Sequence, residues 1–184
     1  MVQTVAQVER SDQPGNPANP IENLARGLAS ELRNSKAVRG PFLIPARLKQ
    51  MSQFFQAAYT YFSDATKTQI VTSNAAEWLL DNFYVLEQAV REVEKDLPAS
   101  YYYRLPQTTD HLPRIQILGM AIVQRGAARL DVEQIRNFVQ MFQVETPLKV
   151  GELWALPLML RLSVLEALAD GLAEITKLEW QRAS

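Results

Sequence analysis

Three charged side chains interrupt an apolar stretch near the C-terminal end of the chain. Residues 151–168 read GELWALPLMLRLSVLEAL, and only Glu152, Arg161 and Glu166 among them are charged. Such groups in apolar surroundings form ion pairs or bind a polar ligand. Arg161 and Glu166 are five residues apart, whereas side chains meet on one helix at a spacing of three or four. We therefore expect their partners on other helices.

Asp81 and Asn82 are the candidate partners, because they interrupt another apolar run, Trp78-Leu79-Leu80 followed by Phe83. The structural interpretation is a buried ion pair that fixes the register of two helices. The alternative is a polar ligand site between helices, which is the rarer use of a paired buried charge. We predict that Arg161→Ala lowers the stability of the fold by several kcal/mol, because it leaves a carboxylate buried without a partner.

Catalytic and metal-binding patterns are missing from the sequence. His111 is the only histidine and the chain has no cysteine, whereas a zinc site needs several such ligands. The sequence contains no G-x-S-x-G nucleophile motif, no G-x-x-x-x-G-K-[ST] and no G-x-G-x-x-G. We expect no catalytic residue, no metal and no cofactor in this segment.

Three consecutive tyrosines, Tyr101, Tyr102 and Tyr103, follow a predicted helix. Aromatic rings with polar tips suit both stacking on sugar rings and packing against a partner surface. Packing is favoured, with one ring buried and the others on a seam, because tyrosine is intermediate in burial. Contact with a glycan or a partner protein is the alternative.

Composition indicates an ordinary globular domain. The chain has 184 residues, 47% of them hydrophobic, and a formal net charge of −1. Its lysines and arginines are scattered, so nothing indicates a nucleic-acid partner. The N-terminus lacks the basic and apolar regions of a signal peptide. No uncharged apolar run reaches about 18 residues, so we expect no transmembrane segment.

The apolar periodicity predicts an all-α domain, a bundle of about six helices over residues 20–184, after a disordered tail of residues 1–19 rich in proline and asparagine. One predicted stripe on the second helix contains Leu48, Met51, Phe55, Ala58 and Phe62. The last helix, roughly 150–180, is long and apolar on nearly every side, which is typical of a central helix. Pro157 inside it predicts a kink or an offset start.

Two helix starts and two tryptophans have specific predicted roles. Asn74 with Glu77, and Asp131 with Gln134, each have the spacing of a capping box, so Asn74 and Asp131 are the predicted N-caps. Trp78 and Trp154 occur at helical spacing among apolar residues, which predicts core or seam positions.

Three segments in this order resemble the N-terminal region of the cyclic β-1,2-glucan synthases, very large glycosyltransferases of the bacterial inner membrane. The resemblance is strongest over residues 74–168 and looser over residues 21–66. The segments are AAEWLLDNF at 75–83, then LP at 97–98 with YYYRLP at 101–106, and GELWALP at 151–157 with LRL at 160–162 and Glu166.

The resemblance implies a polypeptide that polymerises glucose from UDP-glucose and cyclises the product. The aspartate motifs and the Gln-x-x-Arg-Trp motif of the family's transferase domain are absent here, so no catalytic residue carries over. The segment is expected to be a soluble, non-catalytic scaffold that docks on the rest of its own polypeptide, at the cytoplasmic face of the inner membrane. Docking positions at the family motifs would be Trp78, Asp81, Asn82, Glu152, Trp154, Arg161 and Glu166.

Two functions remain as alternatives to a synthase scaffold. One is a free-standing helical interaction or regulatory module, and the weaker one is a glucan-binding module that uses Tyr101 to Tyr103. The chain ends at Ser184, just past a long helix, which suggests a fragment of a much larger chain.

Overall fold

A computed structural model describes residues 20–38, 40–67, 73–127 and 129–180. The predicted disordered tail, residues 1–19, lies outside this range. The described part contains seven α-helices and no β-strand, so the all-α prediction is confirmed. The helices are α1 Pro20–Leu32, α2 Ile44–Lys67, α3 Asn74–Asp96, α4 Ala99–Tyr102, α5 Arg114–Arg125, α6 Val132–Glu145 and α7 Val150–Thr176.

Six of these helices correspond to the six predicted from apolar periodicity, and α4 is an additional single turn. The predicted stripe of α2 is buried throughout, as Leu48, Met51 and Phe62 illustrate. Leu97 ends α3 directly before a proline, which disfavours helical geometry at the preceding residue. The turn α4 contains the first two of the three tyrosines, Tyr101 and Tyr102.

One predicted cap is confirmed and the other is wrong by one residue. The Asp131 carboxylate accepts a hydrogen bond from the backbone N–H of Gln134 at 2.9 Å, as predicted for the start of α6. The N-cap of α3 is Ser73 rather than Asn74, because Ser73 has the extended backbone of a cap and Asn74 is already helical. The Ser73 hydroxyl accepts from the Ala76 N–H at 3.3 Å.

The helix α7 organises the domain by packing against α5, α3 and α2, while α1 packs against α6. α5 and α7 run parallel and approach closely at Gly119, where an added Cβ would lie 3.3 Å from the backbone of Met159. Within the α1–α6 pair, the buried hydroxyl of Thr146 at the end of α6 donates to the Ala29 carbonyl oxygen of α1 at 2.7 Å.

The expectation that α7 would be an enclosed central helix was wrong. Its buried residues, such as Met159 and Leu162, occupy the side towards α5, α3 and α2, whereas Val150, Trp154 and Ile175 are exposed. α7 also ends at Thr176 rather than near residue 180, because Lys177 adopts a left-handed conformation. In the part of the chain that the structure describes, no helix is both long enough and apolar enough to cross a membrane.

Candidate functional site

The best-ordered polar arrangement lies where α7 begins. Arg114, the first residue of α5, donates from Nε and Nη2 to the two carboxylate oxygens of Glu152, each at 2.7 Å. Glu152 is 0% exposed and Arg114 is 5% exposed. A two-pronged arginine–carboxylate pair is geometrically specific, so it fixes both the spacing and the direction of the two helices at this end.

Further hydrogen bonds complete the pair and close the start of α7. Glu152 also accepts from the backbone N–H of Lys149, which has no partner inside the helix. Arg114 Nη2 donates to the Pro147 carbonyl oxygen at 2.9 Å, in the loop between α6 and α7. The desolvated charges are therefore satisfied within the protein, and we call Arg114, Glu152, Lys149 and Pro147 the α7 latch.

The three tyrosines lie next to the α7 latch and take different positions. Tyr101 donates its hydroxyl to the Gly151 carbonyl oxygen at 2.5 Å. Tyr102 is buried and donates to the His111 carbonyl oxygen at 2.9 Å. Tyr103 is half-buried, and its ring meets Tyr102 edge-on with centroids 6.0 Å apart. The structure thus brings Tyr101 and the α7 latch together and leaves no continuous aromatic platform.

Burial changes the titration of two of these tyrosines. Removal from water raises the pKa of the Tyr102 hydroxyl above its ordinary value of 10.0, against a lowering by the positive charge of Arg47. Tyr103 adds a smaller raising effect on the Tyr102 pKa. Burial raises the pKa of Tyr101 as well. Both hydroxyls are therefore neutral donors at physiological pH.

Arg161 does not lie in the interior, so the prediction of a buried pair is wrong for this residue. Its side chain is exposed and forms a salt bridge with Glu92 of α3 at 2.8 Å, and Glu92 is similarly exposed. Arg161 falls on the side of α7 that faces solvent, one turn after the exposed Pro157. The prediction treated every position in an apolar stretch as internal, although the exposed side of this helix is also apolar.

Asp81 and Asn82 are not the partners that the sequence indicated for the charges of α7. Asp81 is exposed on α3, and the Asn82 amide donates to the Trp78 carbonyl oxygen on its own helix at 2.9 Å. The partner of Glu166 is Arg47 of α2, at 3.9 Å with both side chains largely buried. Arg161 and Glu166 thus pair with other helices, as predicted, but with Glu92 and Arg47 rather than with Asp81 or Asn82.

Both tryptophans of the motifs are exposed rather than part of the core. Trp154 is 79% exposed on α7 and Trp78 is 46% exposed on α3. Trp78 lines a groove of about 450 Å³ between α3 and α7, together with Leu168, Gly171 and Ile175. Large exposed aromatic side chains beside an apolar groove are typical of interaction surfaces.

Arg114 is the functional position that sequence analysis missed, and one signal for it exists. It occupies the first turn of α5 directly after Pro113, where the helix dipole disfavours a positive charge. A cation in that place needs a specific compensating anion, and Glu152 is that anion. Glu92 and Arg47 carry no comparable signal, because charged residues on helix surfaces are common.

The described residues do not assemble a recognisable reaction centre. No group of three or more histidine, cysteine, aspartate or glutamate side chains among them could hold a metal ion. The described residues contain two arrangements of buried charges, the Arg47–Glu166 pair and the α7 latch, and the latch is satisfied by its own members and by backbone groups. Such an arrangement stabilises a helix junction, and the exposed aromatic side chains provide the contact surface.

Comparison with known proteins gives one informative match. The chain is 32% identical over 168 residues, or 88% of its length, to the cyclic β-(1,2)-glucan synthase NdvB of Rhizobium meliloti (strain 1021). The resemblance to the cyclic β-1,2-glucan synthases is confirmed. The chain spans only 6% of the length of that relative, so the match covers one segment of a far longer polypeptide. No family model matches the chain.

Proposed function

We propose that this chain is a non-catalytic helical scaffold domain of a cyclic β-1,2-glucan synthase, which docks on the rest of its own polypeptide. The observation that carries the proposal is the extent of the match: most of this chain aligns with a small part of a synthase. A domain of this size within such a polypeptide needs an internal frame and an outer contact surface. The α7 latch supplies the internal frame, and the exposed tryptophans supply the contact surface.

The division of the motif residues supports a scaffold over a reaction centre. In the GELWALP motif, Glu152 closes a helix junction and Trp154 projects into solvent. In the AAEWLLDNF motif, Asn82 bonds its own helix backbone and Trp78 lines the groove. In this proposal, glucose transfer from UDP-glucose and attachment to the inner membrane are functions of other parts of the polypeptide.

The first test is to sequence the gene downstream of the Ser184 codon. The proposal requires an open frame that continues into a transferase domain with membrane helices. A stop codon at that position would contradict it and would identify a free-standing helical module instead.

The second test removes residues 20–180 in frame from the synthase and then supplies them as a separate chain. Deletion is expected to abolish cellular cyclic glucan, and co-expression of the wild-type segment is expected to restore part of it, because docking does not require covalent continuity. The control is the same segment with Glu152→Ala, which breaks the α7 latch and should not rescue. Unchanged glucan after deletion would refute a scaffold role.

The glucan-binding alternative has weaker structural support. Tyr102 is buried and the Tyr101 hydroxyl is already bonded to Gly151, so the three tyrosines do not present one shared platform to a sugar. Titration with cyclic glucan tests it directly. A scaffold predicts no change in tryptophan fluorescence at millimolar glucan, whereas saturable quenching that is lost in Tyr103→Ala would favour sugar binding.

A further inference from the structure

The solvent side of α7 carries a regular apolar stripe that the described structure leaves partly or fully exposed. We define the outer stripe as Val150, Trp154, Pro157, Arg161, Val164, Leu168, Gly171 and Ile175. These residues alternate at spacings of three and four, which keeps them within one sector of the helix. Six of the eight are apolar side chains, and none of the eight is buried.

The pattern of the outer stripe is that of a helix-packing seam. Residues spaced alternately by three and four present a continuous ridge to a second helix, as the a and d positions of a coiled coil do. The opposite side of α7 already has its own buried stripe against α5 and α2. From Val150 to Ile175 the outer stripe rises about 38 Å, enough for about seven helical turns of contact.

Residues of α3 widen the C-terminal half of the outer stripe into a groove. Trp78 and Ala75 form one wall, and Val164, Leu168 and Ile175 form the other, around a volume of about 450 Å³. Val85, two turns further along α3, is also exposed. A helix lying in this groove would bury the Trp78 ring between two apolar surfaces, the setting in which aromatic anchors contribute most to binding.

Two exposed carboxylates lie one helical turn beyond residues that line the groove. Asp81 follows Trp78 by one turn on α3, and Glu174 follows Gly171 by one turn on α7, and both are exposed. The first two turns of α3 and the last two turns of α7 contain no lysine or arginine, although Lys177 follows α7. Two copies that paired through this groove would bring their carboxylates together, which opposes self-association. A partner with lysine or arginine beside its apolar residues is complementary.

From these features we infer that the outer stripe and the Trp78 groove bind an amphipathic α-helix with basic flanks, contributed by another part of the same long polypeptide. This inference rests on the proposed function for the source of the helix, because the relative extends far beyond the matched segment. The stripe length and the carboxylate rim specify the chemistry of the partner independently of that source.

Photocrosslinking in the natural polypeptide, expressed in its own cells, tests this inference. Trp154 and Trp78 are replaced separately by p-benzoylphenylalanine, and Val132, which is 69% exposed on α6, provides the matched control position. We expect both stripe positions to crosslink to one segment of the same polypeptide, with apolar residues at three- and four-residue spacing and flanking lysine or arginine. The control position should not reach that segment.

Point variants then test the two components of recognition. Trp78→Ser should reduce crosslinking from position 154 by about tenfold or more, as expected for loss of an aromatic anchor. Asp81→Lys with Glu174→Lys should reduce it as well, while Val132→Ser should leave it unchanged. An unchanged melting temperature of the isolated 184-residue chain shows that these exposed substitutions leave the fold intact.

Several outcomes would overturn the inference. These are crosslinks only between two copies of the chain, crosslinks no stronger than at Val132, or a captured segment without basic flanks. Failure of the proposed function is distinguishable, because it appears as normal glucan after deletion of residues 20–180. If deletion abolishes glucan but Trp78→Ser and Trp154→Ser do not affect crosslinking or glucan, the scaffold proposal stands and the outer stripe is not the docking face.

Discussion

Of the three arginine–glutamate pairs that connect α7 to its neighbours in the described structure, one lies in the interior and another lies at the surface with nearly the same N···O distance. Arg114 meets Glu152 at 2.7 Å in the interior, and Arg161 meets Glu92 at 2.8 Å at the surface. If the distance between the charged atoms were decisive, the two pairs would contribute equally to stability. Loss of one partner of the buried pair leaves a charge without water or counterion, whereas at the surface water replaces the missing partner. Burial therefore decides which pair the fold depends on.

The largest expected effect comes from breaking the buried pair on one side. Glu152→Ala should lower the free energy of unfolding by about 3–5 kcal/mol, because the Arg114 guanidinium stays desolvated and Lys149 loses its hydrogen-bond acceptor. Urea denaturation followed by circular dichroism measures this. Arg114→Met with Glu152→Leu should recover much of the loss, since it removes both charges together. A loss below about 1 kcal/mol for Glu152→Ala would show that the pair is not structural.

The buried, uncharged hydroxyl of Tyr102 makes the stability of the fold depend on pH. Because the pKa of Tyr102 is raised in the folded state, its contribution to stability is complete below pH 10 and decreases as the pH rises through the folded-state pKa. Tyr102→Phe should cost about 1 kcal/mol at pH 7 and flatten the decline of stability above pH 10.

The measurement is denaturation at a series of pH values from 7 to 11. The Tyr61→Phe variant serves as the control, because Tyr61 is exposed. If Tyr102→Phe leaves the slope unchanged, the hydroxyl is not the group that titrates.

The smallest expected effect is at the exposed pair. Arg161→Ala should change the free energy of unfolding by about 1 kcal/mol or less, and added salt should reduce the difference further. This replaces the expectation of a severe loss drawn from the sequence. Thermal melts at low and high salt provide the measurement, and a loss comparable to that of Glu152→Ala would contradict the role of burial.

The helices were predictable from the sequence because each has a local signal. Periodic apolar residues indicated α2, and the Asp131 cap indicated the start of α6. Burial around α7 was not predictable, because its apolar composition is the same on the enclosed and exposed sides. Only the positions of α3 and α5 distinguish the two sides, and these depend on tertiary packing.

The partners of the charged residues required the fold as well. Glu152 and Arg114 are 38 residues apart in the sequence, and no local spacing relates them. The unusual cation at the start of α5 could have suggested that Arg114 has a specific partner, but not which one. Trp78 and Trp154 were recognised as motif residues, yet apolar character alone could not distinguish a core position from an exposed contact surface.

The close approach at Gly119 gives the α7 latch a second, purely geometric role. Two parallel rods that touch at one point can still swivel about it, and a second fixed point removes that freedom. Gly119 against Met159 is the first point, and Arg114 against Glu152, about 7.5 Å earlier along α5, is the second. A methyl group at 119 would change the separation of the two axes, whereas loss of the ion pair would release their crossing angle.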